Sequence, residues 1–359
     1  MATTPINVTP PIQNDRTNSL TIRQPDDFHC HFRDGVLLKI VAPVSARVFA
    51  RATAMPNLQP PIRTVAEAAA YRERIRAAGF LEPLMTLYLT QNTTPAEIEE
   101  AAATDWMIGG KLYPAGATTN SDEGIPDVFA ARRVFAAMEK YQLPLLIHGE
   151  DPCPTIPLYK REQVFVRTTF TALRYGYPDL KMVLEHLSTR DAVDAVRKYH
   201  KEFGQGRTAG TITPHHLFLT FNDVAGNPHH FCYPIAKEHS DREAVLEAAT
   251  SGQICFFAGT DSAPHFRESK EKGQKRPGGI WSAPYALRLY ATAFDEADQL
   301  PRLENFTSRI GAEFFDLPLN QGTITLCRTR PTDSNRLNRI LGEGVIQPFI
   351  LEGTPTFDF

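Results

Sequence analysis

The sequence predicts an α/β protein built as a single (β/α)8 barrel of the TIM type. Short apolar segments of β type alternate with amphipathic helical patterns, which is typical of a parallel sheet covered by helices. From His29 to Asp261, the spacing is about 33 residues per strand–helix unit, close to the roughly 31 of a barrel of ~250 residues. No Gly-x-Gly-x-x-Gly motif follows the first candidate strand, which disfavours a dinucleotide-binding sheet.

Eight segments carry the strand pattern. Each is a short run of apolar residues bounded by polar residues, glycine or proline. The candidate strands are residues 20–31, 47–56, 84–90, 106–113, 144–149, 181–186, 210–214 and 254–261. We expect these strands to form the wall of the barrel.

Helix-start signals lie between the strands. Thr64 is followed three residues later by Glu67, and Thr94 by Glu97, so both helices begin with a capping box. Pro95 stands at the first helical position of the second. Apolar residues recurring every three or four positions predict further helices, over residues 126–141, 189–203 and 241–251.

Composition narrows the class of protein. The 359 residues are 42% hydrophobic and 22% charged, so the chain can bury a core. A net charge of −3 gives no electrostatic reason to expect nucleic acid or an anionic membrane as partner. There is no apolar run of ~18 residues and no signal-peptide pattern in residues 1–18. The five cysteines are widely spaced, which favours reduced thiols and a cytoplasmic location; they are Cys30, Cys153, Cys232, Cys255 and Cys327.

The chain divides into three parts in this interpretation. Residues 1–19 are expected to be a flexible extension, residues 20–327 the barrel, and residues 328–359 a segment packed on the barrel surface. The charged stretch at residues 270–276 predicts a solvated loop, with an anion-binding role as the alternative.

Polar residues fall where the candidate strands end. These strand-end residues are His29, His31, Asn57, Lys111, His148, His186, His215, His216 and Asp261. The carboxyl ends of barrel strands converge on one mouth, where active sites of this fold lie. So many metal-capable groups at one end predict a metal-dependent active site.

Spacing supports this hypothesis at His29 and His31. Side chains two residues apart on a strand point to the same face, so both imidazoles can bind one ion. His148, His186 and Asp261 add further ligand types that suit zinc. Taken alone, the histidines also fit unrelated core positions. Asp261 also fits a helix N-cap, because Ser262 and Pro264 follow it.

Lys111 does not fit a simple ligand set, because an ammonium group repels a metal cation. It is therefore either a surface residue, a clamp for a substrate anion, or a neutral amine that has captured carbon dioxide and become an anionic ligand.

Together the motifs resemble the dihydroorotases, in particular the shorter class II type of the amidohydrolase superfamily. The resemblance runs from about Leu20 to the C-terminus. The motifs, in chain order, are His29-x-His31 with Arg33-Asp34-Gly35, Met55-Pro56-Asn57, Lys111-Leu112-Tyr113-Pro114, Leu146-Ile147-His148-Gly149-Glu150, Glu185-His186, Thr213-Pro214-His215-His216 and Gly259-Thr260-Asp261-Ser262-Ala263-Pro264-His265.

The resemblance implies two zinc ions in each subunit. His29, His31 and Asp261 would bind one zinc, and His148 and His186 the other. A carboxylated Lys111 and a hydroxide would bridge the two ions, and the hydroxide would attack the substrate amide. Asp261 would also carry the proton.

The resemblance also implies a set of substrate-binding residues. Arg33, Asn57 and His265 would bind the substrate carboxylate, for which a guanidinium offers a bidentate fork. Thr118 and Thr119 lie in a segment, residues 115–120, that matches the family's mobile loop, although an ordinary surface turn is the alternative. The remaining contacts would come from His31, His148, Tyr233 and Ala283. Tyr233 stands where bacterial relatives carry leucine, and it would act through its backbone.

The expected function is therefore the zinc-dependent, reversible conversion of N-carbamoyl-L-aspartate to (S)-dihydroorotate in pyrimidine biosynthesis, by a homodimer. A related cyclic amidohydrolase, such as a hydantoinase, dihydropyrimidinase or allantoinase, is an alternative. A non-catalytic dihydroorotase-like assembly partner is another. The carboxylate-binding residues argue against the first alternative, and the full set of six metal ligands argues against the second.

Overall fold

A computed structural model describes residues 19–272, 276–328, 346–351 and 356–359. Eight parallel strands, β2 to β9, pair in sequence order and form a nearly closed barrel, which confirms the predicted fold. Cys30, the last residue of β2, and Ser262, which lies beyond the end of β9, form a parallel bridge across the seam. The barrel strands are β2 (Asp26–Cys30), β3 (Arg51–Ala54), β4 (Pro83–Tyr88), β5 (Met107–Leu112), β6 (Leu145–Ile147), β7 (Met182–Leu184), β8 (Thr208–Ile212) and β9 (Phe256–Ala258).

The first predicted strand, residues 20–31, was wrong as a single element. Its beginning, β1 (Ser19–Arg23), pairs antiparallel with β10 (Thr323–Arg328), which also pairs with β11 (Phe357–Asp358) in a separate three-stranded sheet. Pro25 lies between β1 and β2 and has no N–H to donate to a strand ladder, so the chain changes sheets at this point. His31 accordingly lies one residue beyond β2.

Twelve α-helices occur in the described part of the chain. They are α1 (Gly35–Ala46), α2 (Val65–Ala77), α3 (Pro95–Ala102), α4 (Arg132–Tyr141), α5 (Arg161–Phe165), α6 (Thr171–Gly176), α7 (Arg190–Phe203), α8 (Phe221–Ala225), α9 (His239–Thr250), α10 (Arg267–Lys272), α11 (Ala286–Glu296) and α12 (Ile310–Phe314). Both predicted capping boxes are present at the starts of α2 and α3. The helix predicted over residues 126–141 begins only at Arg132, because a short 3-10 turn, Val128–Ala130, comes first.

The core has two layers divided by the barrel wall. Strand β6 shows why: Leu145 and Ile147 pack outward with the helices, whereas Leu146 points into the barrel with Phe28 and Phe257. Phe314 closes this interior cluster, and its ring lies 5.7 Å from that of Phe257. The inside of the barrel is thus packed with apolar side chains, and the polar strand-end residues lie at the other mouth.

Some predictions concern the chain ends and the charged loop. Residues 1–18 lie outside the described residues, as do residues 273–275, 329–345 and 352–355, so the three-part division stays a prediction. Phe349 donates its backbone N–H to the Trp281 carbonyl at 2.8 Å, so this described piece of the C-terminal segment contacts the barrel. The solvated loop predicted at residues 270–276 was wrong at its first residue, because Lys270 belongs to α10 and is buried.

Two further observations concern the cysteines and the described helices. The five cysteines are all free thiols, in line with the absence of a disulfide framework. None of the described helices has the length and apolar character needed to cross a membrane.

Candidate metal centre and substrate cavity

The six predicted metal ligands meet at the carboxyl end of the barrel. His29 lies in β2, Lys111 in β5, and the remaining four residues lie just beyond β2, β6, β7 and β9. All six are buried, with at most 8% of any one exposed. The convergence that the sequence predicted is thus present; the six are His29, His31, Lys111, His148, His186 and Asp261.

Three ligand atoms form a first cluster. The Nε2 atoms of His29 and His31 lie 3.3 Å apart, and Oδ1 of Asp261 lies 3.3 Å from the first and 3.0 Å from the second. Two ligands of a tetrahedral zinc ion, each at about 2.05 Å, are roughly 3.3 Å apart. The cluster therefore has the spacing of ligand atoms that face one ion.

A second cluster consists of His148 and His186. Nδ1 of His148 lies 3.2 Å from Nε2 of His186, which is again the spacing expected for two ligands of one ion. The other ring nitrogen of His148 lies 3.0 Å from the Glu150 carboxylate, which orients that ring. Nδ1 of His186 is buried and has no hydrogen-bond partner among the described residues. The donor set therefore fits two zinc-type ions side by side.

Lys111 and Glu185 lie beside these clusters. Lys111 is fully buried, and its Nζ contacts the Glu185 carboxylate, whose other oxygen lies 3.1 Å from Nδ1 of His29. Burial lowers the pKa of Lys111 well below its usual value, which favours the neutral amine needed to capture carbon dioxide. The surface-lysine interpretation of Lys111 is therefore wrong.

Burial also shifts the titration of the proposed ligands. The pKa values of His29, His31 and His186 are lowered well below the usual value, first by burial and then by neighbouring positive charges. Neutral imidazole is the form that binds a metal. Burial raises the pKa of Asp261 to about 7, with Lys111 opposing the shift.

The backbone is strained where the site residues are presented. Arg33, His186 and Asp261 have positive φ angles of 60°, 45° and 43°, a region that side chains other than glycine seldom adopt. At Arg33 the strained peptide is held by the hydroxyl of buried Tyr71, which donates to the Arg33 carbonyl at 2.7 Å.

Asp27 anchors the strand that carries the first two histidines. Its carboxylate accepts hydrogen bonds from the backbone N–H groups of His29 and Thr260 at 3.2 and 2.8 Å, and from the Thr260 hydroxyl at 2.6 Å. This ties β2 to the segment before Asp261. The sequence alone did not single out Asp27.

The predicted carboxylate-binding residues lie next to the first cluster. Nη2 of Arg33 and Nε2 of His265 are 3.0 Å apart, and Oδ1 of Asn57 lies 2.9 Å from Nδ1 of His31. An Nδ1–H donated to Asn57 leaves Nε2 of His31 free for a metal. Asn57 is thus placed to orient a ligand as well as to face a substrate.

The loop at residues 115–120 reaches over this mouth. Nδ2 of Asn57 donates to the Thr119 carbonyl at 3.0 Å, and the side chain of Asn120 donates to the Asn57 carbonyl at 3.1 Å. The Thr119 hydroxyl donates to the Gly278 carbonyl at 3.1 Å and accepts from the Gly278 N–H at 3.2 Å. The loop therefore bridges two sides of the mouth in this structure, which an unattached surface turn would not do.

A narrow cavity lies beneath the loop. Its volume of about 20 Å³ is close to that of one water molecule, so a ring-shaped substrate requires the loop to move. The lining residues are His29, His31, Arg33, Asn57, Tyr113, Thr118, Thr119, His148, His186, Tyr233, Asp261, Ala263, Gly278 and Gly279.

Comparison with the predicted substrate residues shows agreement and gaps. Thr118, Thr119 and Tyr233 line the cavity, whereas Ala283 does not, and its N–H donates to the Ser262 hydroxyl at 3.0 Å. The role of Ala283 stays a prediction. Sequence reasoning assigned no role to Tyr113, which lines the cavity and whose buried hydroxyl has no partner among the described residues.

A third group with metal-binding side chains lies near this mouth: His215, His216 and Cys232. Both ring nitrogens of His216 already lie within hydrogen-bond distance of protein oxygens, 2.7 Å from the Thr213 hydroxyl and 3.0 Å from the Pro234 carbonyl. The ring nitrogens of His216 are therefore occupied by protein partners, which argues against a role for His216 as a ligand of the centre.

Comparison with known proteins places this geometry in a family. Residues 26–326 match the model of the amidohydrolase family. A dihydroorotase from Picosynechococcus is 49% identical over 317 residues, which cover 86% of this chain and 90% of that protein. The chain belongs to the dihydroorotases of the amidohydrolase family.

Solved structures agree with this family assignment. A dihydroorotase from Saccharomyces cerevisiae in complex with 5-fluoroorotic acid is 31% identical, with a TM-score of 0.86 over 95% of this chain and 98% of that one. A dihydroorotase from Campylobacter jejuni is 33% identical, with a TM-score of 0.80 over 95% and 97%. As a dihydroorotase family member, the chain is a hydrolase acting on a cyclic amide.

Proposed function

We propose that the chain catalyses the reversible cyclisation of N-carbamoyl-L-aspartate to (S)-dihydroorotate, a step of pyrimidine biosynthesis, with two zinc ions. The observation that carries this proposal is the arrangement at one mouth of two ligand clusters with the guanidinium of Arg33 beside them. The clusters fit a two-metal hydrolase, and the guanidinium fits a substrate that carries a free carboxylate.

The cofactor is assigned to the six converging residues. His29, His31 and Asp261 would hold one zinc ion, and His148 and His186 the other, with carboxylated Lys111 as the anionic bridge. When bound, the two ions supply a hydroxide nucleophile and polarise the scissile carbonyl. The burial of Lys111, which favours its neutral amine, supports this assignment.

Asp261 is the proposed catalytic residue. Its carboxylate would take a proton as the nucleophile attacks and deliver it to the leaving nitrogen as the ring opens, and the reverse during cyclisation. The raised pKa of this buried carboxylate is consistent with a group that exchanges a proton near neutral pH.

The substrate carboxylate is assigned to Arg33, Asn57 and His265. Arg33 is buried and its Nε donates to the Pro264 carbonyl at 3.1 Å, so the side chain is fixed while Nη atoms face the cavity side where His265 lies. Hydantoin and dihydrouracil carry no such carboxylate. In a hydantoinase or dihydropyrimidinase reaction, this buried guanidinium would therefore have no substrate carboxylate to bind.

Thr118 and Thr119 would close over the bound substrate and donate hydroxyl hydrogen bonds to it. Tyr233, His31, His148 and Ala283 would complete the substrate contacts. Closure excludes water from the reacting centre, and the small cavity beneath the loop supports a cycle of opening and closing.

The partners, oligomeric state and location of the enzyme are also proposals. We assign it a small-molecule substrate, no nucleic-acid or membrane partner, a homodimeric state and a cytoplasmic location. The net charge of −3 supports the second of these assignments, since it offers no field that would attract a polyanion.

The experiment is a comparison of substrates with a metal analysis of the same preparation. We expect rapid hydrolysis of dihydroorotate, slow hydrolysis of dihydrouracil and hydantoin, about two zinc ions per chain, and an intact mass increased by one carbon dioxide adduct. Comparable rates on the uncharged rings would contradict the substrate assignment. Fewer than two metals would contradict the cofactor assignment.

A further inference from the structure

Lys270 is a buried lysine outside the metal centre. Only 2% of it is exposed, although it lies in α10 between the solvent-facing residues of a charged stretch. Its Nζ donates to the carbonyl oxygens of Gly279 at 2.7 Å, Phe231 at 2.8 Å and Pro277 at 3.3 Å. An ammonium has three N–H donors, and each of them finds a carbonyl here. No donor is left for an anion, so the anion-binding role that the sequence left open does not fit this residue.

The three carbonyls join two segments that line the cavity. Pro277 and Gly279 flank Gly278, and Phe231 lies two residues before Tyr233. Gly279 also donates its N–H to the Phe231 carbonyl at 3.0 Å. We call residues 277–279 the strap. Lys270 therefore pins the strap to the Phe231–Tyr233 side of the mouth.

Gly278, at the centre of the strap, is the docking point of the loop. Both of its backbone polar groups bond to the Thr119 hydroxyl, and its carbonyl lies 3.1 Å from Nε2 of His265. A Cβ atom on Gly278 would come within 2.2 Å of the Tyr233 ring, so the strap has no room to shift toward that ring. The position of Gly278 thus decides whether the loop and His265 find their partners.

We propose that Lys270 is a positioning residue that holds the strap so that the loop can close on Gly278 through Thr119. Among the described residues, Lys270 neither lines the cavity nor bonds to a ligand atom of the metal centre, so it acts through the strap. The proposal rests on the proposed function, because loop closure is measured here through turnover of dihydroorotate.

Burial of the Lys270 ammonium carries an energetic cost. An ammonium taken out of water is strongly destabilised unless its donors are all satisfied. Burial lowers the pKa of Lys270 to about 8, which reflects that cost. Among the described residues, the Lys270 ammonium bonds to three backbone carbonyls. These bonds fix the backbone segments that carry the carbonyls.

The test is a double-mutant cycle between Lys270→Met and Thr119→Val. Methionine keeps the apolar stem without the ammonium, and valine keeps the shape of threonine without the hydroxyl. Each variant is expected to lower kcat/KM for dihydroorotate about tenfold, mainly through KM, with the zinc content of the wild type. The kcat/KM of the double variant is expected to lie within about twofold of that of the less active single variant, because both changes prevent the same loop closure.

Lys272→Met is the matched control. Lys272 lies on the same helix with its side chain 74% exposed, and among the described residues its ion-pair partner is Glu268. We expect its kinetics to equal those of the wild type. Wild-type protein that fails to turn over dihydroorotate would contradict the proposed function itself, whereas the outcomes below bear on Lys270 alone.

Two results would overturn the role of Lys270 while the wild type remains active. One is a Lys270→Met variant whose kcat/KM stays within twofold of the wild type. The other is multiplication of the two single effects in the double variant, which would mean that the two residues act separately. If Lys270→Met does not fold by circular dichroism, Gly278→Ala replaces it in the cycle. The added methyl group displaces the strap from the Tyr233 ring. The effects of Gly278→Ala and Thr119→Val on kcat/KM are again expected to be non-additive. If the two effects multiply in the double variant, the proposal is overturned.

Discussion

Nε2 of His31 lies 3.0 Å from Oδ1 of Asp261, although 230 positions separate the two residues in the sequence. The barrel brings them together because β2 and β9 are its first and last strands and meet at the seam. Asp27 reinforces this contact, since it bonds to the backbone on both sides of the seam, at His29 and at Thr260. The ligand pair is therefore a consequence of barrel closure.

The first prediction concerns the proton at Asp261. Asp261→Asn should keep most of the zinc, because an amide oxygen can still face the ion, yet lose activity by at least about 10²–10⁴-fold, because an amide does not shuttle a proton. Activity in both directions and metal content are measured on the same sample. The exposed Asp194→Asn serves as control. Near-normal turnover of Asp261→Asn would refute the proton-transfer role.

The second prediction concerns the loop. Replacing Thr118 and Thr119 together by alanine should leave zinc content unchanged and weaken turnover of both substrates, because the Thr119 bonds to Gly278 are lost along with the hydroxyls over the cavity. Steady-state kinetics with dihydroorotate and with N-carbamoyl-L-aspartate provide the check. Kinetics equal to those of the wild type for both substrates would mean that residues 115–120 are only a connector.

Much of the site could be predicted because its signals are local. His29 lies in β2 and His31 follows two residues later, just beyond its end, and the other ligands follow short apolar runs, so strand ends could be recognised without knowing any contact. The orientation of His31 by Asn57 could not be read in this way. It depends on which oxygen of one strand end meets which nitrogen of the next.

Lys270 and Pro25 show two different reasons for errors. The charge pattern around Lys270 is that of a solvated turn, and only the carbonyls of distant residues 231 and 277–279 make its burial possible. Pro25, in contrast, was a local signal against one strand over residues 20–31. Strand-type apolar residues on either side of it, such as Ile22 and Phe28, concealed a change of sheet.

The third prediction concerns pH and the buried carboxyl of Glu162. Its oxygens accept the Ser188 N–H at 3.0 and 3.2 Å, and burial raises its pKa from the ordinary 4.5 to about 7. The folded protein therefore binds the proton more tightly than the unfolded chain. The stability from this group is complete below pH ~4.5 and is lost as pH rises through about 7.

Glu162→Gln removes this titration while keeping an oxygen for the Ser188 N–H. The free energy of unfolding of the variant, relative to the wild type, should therefore increase between pH 4.5 and 7.5 by at most roughly 3 kcal/mol, and then stay level. Urea unfolding at a series of pH values measures it, with the exposed Glu100→Gln as control. A difference that does not vary with pH, or that decreases, would contradict the assignment.

The fourth prediction concerns Lys111 and separates two interpretations of a buried lysine. If Lys111 only binds a substrate anion, Lys111→Ala keeps both zinc ions and mainly raises KM. If it is the carboxylated bridge, the same change removes an anion shared by both ions and leaves the second ion with the two imidazoles of His148 and His186. Catalytic zinc usually has three protein ligands, so two neutral rings without an anion bind it poorly.

We expect the second result, with loss of at least one zinc ion and nearly all activity. The vacated space lies beside Glu185, whose carboxylate contacts Lys111, and a short carboxylic acid in the buffer should partly restore metal and activity by placing an oxygen anion there. The exposed Lys201→Ala controls for the loss of a lysine elsewhere. Zinc analysis decides between the interpretations, because two tightly held ions per chain in Lys111→Ala would mean that Lys111 is not a ligand.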